Sequence, residues 1–375
     1  MRYDRIRVLM LALVGWLGDA ASAATQERLD PRLFEVPQIE SSWTDLTDGI
    51  DSPETWAERR QVLKRRFLEL IRDDAKPERV PLELRYEESV EVEGVYVRHL
   101  VSYAVERDER ATAYLGVPIS ATDARSTPAI VALHGTYPRG IEQAAGLDDD
   151  SSKAYLDHLC RRGYVVIAPE HFVSGRRIPP LGAYDTTAFH QRHPEWTSVG
   201  KFTYEHAIAI DVLETLEQVD PTRIGAMGHS LGGQGTIFLA AYDERIKAAA
   251  DNCAAAFFRH NPDVLEWSRD RWYVYFRPIR AGLLERRMPA IDFHEIMALV
   301  APRAFLDVSA LDDGHRATQR QRVLMLMEVA EIWHVLNADD EFAFFVHGRG
   351  HSVPAETRAL IYTWLDERLK PRSAP

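Results

Sequence analysis

The stretch Arg223-Ile-Gly-Ala-Met-Gly-His-Ser-Leu-Gly-Gly233 decides how this chain is read. A short apolar run at 223–227 leads into Gly228-His-Ser230-Leu-Gly232, and small and apolar residues follow through 231–242, suited to a helix packed closely on a sheet. Strand, sharp turn and helix in that order force the central residue into a strained backbone and push its side chain out of the sheet. Glycine is required at 228 and 232, where any side chain would collide across the turn. The pattern predicts an exposed, nucleophilic hydroxyl on Ser230. Asp220-Pro221 punctuates the chain just before the strand.

Working outward, residues 129–133 and 164–168 read as short apolar strands with a helix at 153–162 between them. A helix at 201–216 leads into 223–227, and the helix after Ser230 leads into a strand at 246–250. Strands at 304–310 and 342–346 complete the series, with helices at 319–336 and 356–369. Alternation of this kind demands a mostly parallel sheet with helices on both faces, since each crossover buries its strand under a helix. Upstream, Ser52 is an N-cap and Pro53 the first position of a helix carrying Trp56, Val62, Leu63, Phe67 and Leu70 at helical spacing. Residues 90–103 and 112–117 read as antiparallel strands joined by the charged turn 106–110.

The 375 residues are 46% hydrophobic, enough to fill a large core, and carry a formal net charge of −12 with acidic residues scattered along the chain. That balance argues against a nucleic-acid partner. Arg2, Arg5 and Arg7 precede an apolar run over 8–17, and Ala21-Ser-Ala23 supplies the small residues of a cleavage site. Residues 1–23 are therefore expected to be a signal peptide, with export to a periplasm or the medium and no stable membrane insertion afterwards. Residues 24–110 would be an N-terminal helical extension with the first strand, and 111–375 the catalytic domain. Cys160 and Cys253 are the only cysteines; they are expected as two buried thiols, without the spacing of a structural zinc site.

The chain resembles the α/β-hydrolases, and within them the secreted branch of acetyl xylan esterase-like, dienelactone hydrolase-like and glucuronoyl esterase-like proteins. The residues that carry the resemblance are His134-Gly-Thr136, Arg162-Gly-Tyr-Val-Val-Ile-Ala-Pro169, His193-Pro-Glu-Trp196, Gly200-Lys201, Asp220-Pro-Thr-Arg-Ile224, Gly228 to Gly233, Asp243-Glu-Arg-Ile246, Ala301-Pro-Arg303 and Gly350-His351. The resemblance implies the α/β-hydrolase fold with lid-like insertions, and a serine hydrolase that needs no metal or organic cofactor.

The same resemblance implies a catalytic base downstream of Ser230. His351, in His347-Gly-Arg-Gly-His351 after the last strand, is the candidate, with His347 its rival. The acid is expected to be Asp313, after the strand at 304–310, with Asp251 and Asp312 as alternatives; glucuronoyl esterase-like proteins commonly place theirs where Asp251 stands. Backbone N–H groups of Leu231 and Thr136 are the expected oxyanion donors. Glucuronoyl esterase-like proteins typically carry an arginine after the nucleophile, and this chain has Leu231.

Insertions at 171–200 and 254–295 follow strand ends on the catalytic edge of the sheet and are expected to shape the pocket. They hold His171, Arg176, Arg177, Tyr184, His190 and Trp196, and Phe257, Arg259, Trp267, Trp272, Tyr273 and Tyr275; the aromatics either stack on a sugar ring or form the core of a lid, and the arginines either meet an acidic substrate or are solvated. The reading that results is an exported serine esterase acting on a small-molecule or carbohydrate ester. A serine peptidase related to the prolyl oligopeptidases and a catalytically decayed binding protein are the alternatives.

Overall fold

In the computed structural model, which describes residues 41–314 and 316–370, the first long helix is α1, Pro53–Ile71. Ser52 caps it as its sequence promises: its side chain accepts from Thr55 N, and Thr55 reaches back in a capping box. The expected signal peptide lies outside the described residues.

The sheet is built from β1 (Arg85–Val92), β2 (Tyr96–Glu106), β3 (Glu109–Pro118), β4 (Thr127–Leu133), β5 (Val165–Pro169), β6 (Val219–His229), β7 (Ile246–Asn252), β8 (Ala304–Ala310) and β9 (Phe342–His347). Their spatial order is β1-β2-β3-β5-β4-β6-β7-β8-β9. The first three strands and the β3–β5 pair are antiparallel, and every pair from β5 through β9 is parallel. This is the α/β-hydrolase fold.

The crossovers contain α2 (Tyr155–Arg161), α3 (Thr187–Arg192), α4 (Ser198–Glu214), α5 (Leu231–Tyr242), α6 (Arg280–Leu284), α7 (Phe293–Ala298) and α8 (Arg316–Val335), and α9 (Ala355–Leu369) closes the chain's described part. α1, α4, α5, α7 and α8 contribute to the core on one face of the sheet, and α2 and α9 to that on the other. β4, β5 and β8 are buried along their whole length and are mostly apolar; in β8 the buried Asp307 accepts from the Ser309 hydroxyl at 2.7 Å.

Three elements differ from those expected. The single strand expected at 90–103 is a hairpin: Glu93 (φ 52°) and Gly94 (φ 68°) turn the chain between β1 and β2. The charged turn is correspondingly shorter, since Glu106 pairs with Glu109. The sheet thus runs continuously across position 110, where the extension was expected to end. β6 also begins earlier than expected and carries Asp220 and Pro221 within it.

A buried ionic network ties β2 and β3 to α4 and to the loop after β5. The Lys201 ammonium is fully buried and reaches Glu109 at 3.0 Å, Glu205 at 2.9 Å and also Glu106. Arg177, nearly as buried, pairs with Glu109 and Glu205. Burial alone would push the Glu109 carboxyl up, but the charges of Arg177 and Lys201 bring it down to about 2. Its stabilisation is therefore present above the unfolded carboxylate pKa of about 4.3 and is lost as pH falls from there toward 2. Lys201→Met leaves buried carboxylates under-compensated and should cost about 3–5 kcal/mol in urea unfolding at pH 7, the deficit shrinking below about pH 4 as the carboxylates protonate. An unchanged urea midpoint at pH 7 would show that the network is not stabilising.

Candidate active site

Ser230 sits between the last residue of β6 and the first of α5 with φ 58° and ψ −124°. No ordinary side chain prefers that conformation, and the surroundings enforce it. A β-carbon on Gly228 would overlap the Gly232 carbonyl, and one on Gly232 would overlap the Leu133 carbonyl at the end of β4. The Ser230 N–H donates to the Asn252 carbonyl at 2.9 Å, fixing the turn against β7.

The loop after β9 brings His351 over this turn. Its Nε2 lies 2.8 Å from Ser230 Oγ and its Nδ1 lies 2.8 Å from Asp313 Oδ2. With Nδ1–H donating to the carboxylate, Nε2 is left to accept the serine proton. Burial would raise the Asp313 pKa, but the hydrogen bond and charge of His351 offset it and hold the carboxyl below its ordinary value. Asp313 is thus kept ionised, the state in which it accepts from an imidazole.

The other candidates do different things. Asp312 Oδ1 accepts from Gly350 N at 2.7 Å and so pins the histidine loop. His347 turns its Nδ1 to Arg349 N at 3.2 Å. Asp251 does not reach the histidine: it is wholly buried and faces Asp307 across the β7–β8 register. Burial, followed by the neighbouring carboxyl, raises Asp251 well above the carboxylate range, and burial brings Asp307 to about 6.

Leu231 is the first residue of α5, so its N–H has no partner inside the helix. Thr136 is exposed in the loop after β4, beside Gly135, on which a β-carbon would stand 3.6 Å from Ser230 Cβ. Tyr184 holds this loop: its hydroxyl accepts from Tyr137 N at 2.7 Å and lies 3.0 Å from the Tyr137 carbonyl. His134, whose ring burial brings down to about 4, is neutral and accepts from His171 N at 3.1 Å.

A cavity of ≈ 810 Å³ opens at Ser230 and His351. Trp267, Tyr275 and Phe257 of the second insertion line it; no described residue of 171–200 does. That first insertion is instead packed inward, with Trp196 and Tyr184 buried and Arg177 in the ionic network. Arg259, a candidate for greeting an acidic substrate, is buried against Asp292 at 2.9 Å and Asp45 at 2.9 Å. Trp272 stays half exposed at the surface, its indole N–H donating to Ala183 O at 3.1 Å.

Several residues of the site carry no sequence motif. Asn252 donates from Nδ2 to Ser352 O at 2.9 Å and lies 2.7 Å from His229 Nδ1, joining the serine turn to the histidine loop. Its only signal is polarity at the end of an apolar strand. Arg322 of α8 lines the cavity and donates from Nε to Ala255 O at 2.8 Å. Helical periodicity alone did not say which face it would take. Cys160 and Cys253 are both buried and unbridged.

Residues 113–258 match the model of the Dienelactone hydrolase family. The chain has the α/β-hydrolase fold. It is 28% identical over 269 residues to the protein named "Putative hydrolase YtaP" of Bacillus subtilis (strain 168), covering 68% of this chain and 81% of that one. Among solved structures, a glucuronoyl esterase from Solibacter usitatus superposes with a TM-score of 0.65 at 16% identity, over 84% of this chain and 94% of that one. An acetyl xylan esterase from Paenibacillus sp. R4 superposes with a TM-score of 0.54 at 16% identity, over 90% and 99%.

The Asp251–Asp307 pair makes the α/β-hydrolase core pH-sensitive. Because the folded-state pKa values are raised, the penalty grows as pH climbs from the unfolded carboxylate value through the folded ones. Asp251→Asn removes one of the two charges. Wild-type stability should fall between pH 4 and pH 8 by at least about 1.4 kcal/mol more than that of the variant, in parallel urea titrations. Parallel pH profiles would refute the assignment.

Proposed function

We propose that this protein is a serine esterase that cleaves carboxylic esters of carbohydrates through an acyl-enzyme. The observation that carries the reading is the single imidazole spanning Ser230 Oγ and the Asp313 carboxylate, at 2.8 Å to each. His351 Nε2 takes the hydroxyl proton as Ser230 Oγ attacks the ester carbonyl, and Asp313 stabilises the imidazolium that forms. The tetrahedral oxygen is received by the N–H groups of Leu231 and Thr136. The proton then passes to the leaving alcohol, and a water deprotonated by the same imidazole releases the acid. These steps need no metal or organic cofactor.

The substrate side of the reading rests on the cavity and the neighbours. Tyr275, half-buried, offers an aromatic ring of the kind that stacks on sugars in the cavity that opens on Ser230, and the buried Trp267 packs against it. The glucuronoyl and acetyl xylan esterases that share the fold act, by name, on such esters. Leu231 stands where the glucuronoyl esterase pattern has arginine, which favours an ester that does not demand that cation. We read residues 1–23 as an export leader, and no described helix is long and apolar enough to cross a membrane.

Wild-type protein should be labelled by a fluorophosphonate probe and should hydrolyse p-nitrophenyl acetate and acetylated xylo-oligosaccharides. Ser230→Ala should abolish labelling, and Asp313→Asn should lower kcat on the order of 10⁴-fold by releasing the tautomer of His351. Labelling of Ser230→Ala equal to wild type would remove the nucleophile. Faster cleavage of amino-acid amides than of acetyl esters would favour a peptidase instead.

A further inference from the structure

Cys253 has no part in the chemistry above, yet it adjoins the imidazole and the carboxylate. It follows β7 with φ 55°, a left-handed backbone that a cysteine rarely adopts and that its surroundings impose. Its N–H donates to the Val308 carbonyl at 2.7 Å, its thiol lies 3.9 Å from the Ser352 carbonyl, and the residue lines the same cavity as Ser230 and His351. One donor atom each from Cys253, Asp313 and His351 lie within 4.8 Å of one another.

We propose that Cys253, Asp313 and His351 form an inhibitory binding site for a thiophilic divalent cation such as Zn²⁺. A thiolate, an imidazole nitrogen and a carboxylate oxygen are the donor types that zinc takes, and solvent in the cavity supplies the fourth position. Tetrahedral zinc would set its donors about 3.3–3.7 Å apart, so the His351 Nδ1–Asp313 Oδ2 contact of 2.8 Å would open if those two atoms bind, and the donors, all within 4.8 Å, would draw in by no more than roughly 1.5 Å. The movement falls to the side chains of His351 and Asp313, since Asp312 and Asn252 hold the backbone of the histidine loop. His351 is exposed and follows Gly348 and Gly350, whose surroundings are empty, and Gly314 with φ 90° follows Asp313.

Without an ion, burial and then the charge of Asp313 push the Cys253 thiol up to about 12, so it is neither a nucleophile nor easily oxidised. A dication placed between sulfur and carboxylate reverses that local field. As the metal–sulfur bond forms, the thiol proton leaves to solvent. If the metal takes His351 Nδ1, the proton there is displaced and Nε2 takes one up, giving a net release of one proton. Nε2 then donates toward Ser230 instead of accepting from it. If the metal takes Nε2, the base is occupied directly. Either mode stops proton transfer from Ser230.

The inhibitory consequence rests on the esterase reading, but the site does not, and the two separate experimentally. Zn²⁺ titrated against p-nitrophenyl acetate turnover in non-chelating buffer should inhibit wild type reversibly, with EDTA restoring the rate. Cys253→Ala and Cys253→Ser, each normalised to its own metal-free rate, should need at least tenfold more Zn²⁺. Co²⁺ added to Ser230→Ala should give a thiolate-to-cobalt charge-transfer band, lost when Cys253→Ser is added to that background. Equal inhibition of wild type and both cysteine variants, or no such band, overturns the site. Absence of turnover by metal-free wild type would sink the esterase reading and leave the cobalt result to stand or fall alone.

Discussion

The whole arrangement depends on one backbone conformation, the positive φ of Ser230, and on the close approach that enforces it. Three chain segments meet there without side chains between them: Gly228 against Gly232, and Gly232 against the Leu133 carbonyl. This contact lets α5 start directly over the carboxyl end of β6, between β4 and β7. It also leaves the Leu231 amide at the start of α5 without a partner inside the helix, beside the Ser230 hydroxyl, the arrangement on which the proposed esterase chemistry draws. The strain persists because a parallel sheet buried on both faces leaves the turn nowhere to relax.

Around that turn, polar bonds do the positioning and apolar packing does the holding. Asn252 links the serine turn to the histidine loop, Asp312 pins that loop through Gly350, and Tyr184 fixes the segment bearing Thr136. None of these three touches Ser230 Oγ. They join loops that follow different strands and would otherwise move independently. Aromatic packing in the second insertion then closes one side of the cavity, with Trp267 against both Tyr275 and Phe293.

Electrostatics separates the aspartates at this end of the sheet into different roles. Asp313 is half-buried beside an imidazole and stays below the ordinary carboxylate range, whereas Asp251 and Asp307 are fully buried beside each other and rise above it. The same burial that disqualifies Asp251 as a partner for His351 makes it a titrating element of the core. The ionic network around Lys201 is the opposite case, since its buried carboxylates have cations within reach.

The sequence by itself determined the alternation of strand and helix, the start of α1 at Ser52, and the turn at Ser230. Each is a local matter of period, capping or steric need, written in a few adjacent residues. α5 and β8 fall where their apolar runs begin and end, while the hairpin at Glu93-Gly94 was hidden because the recurring valines of Val90-Glu-Val-Glu-Gly-Val-Tyr-Val97 carry a strand-like pattern across the turn. Tertiary structure alone decided which aspartate meets His351, which insertion lines the cavity, and where Arg322, Asn252 and Cys253 point. Those are contacts between segments far apart in the chain, set by strand order and register, and no spacing along the sequence encodes them.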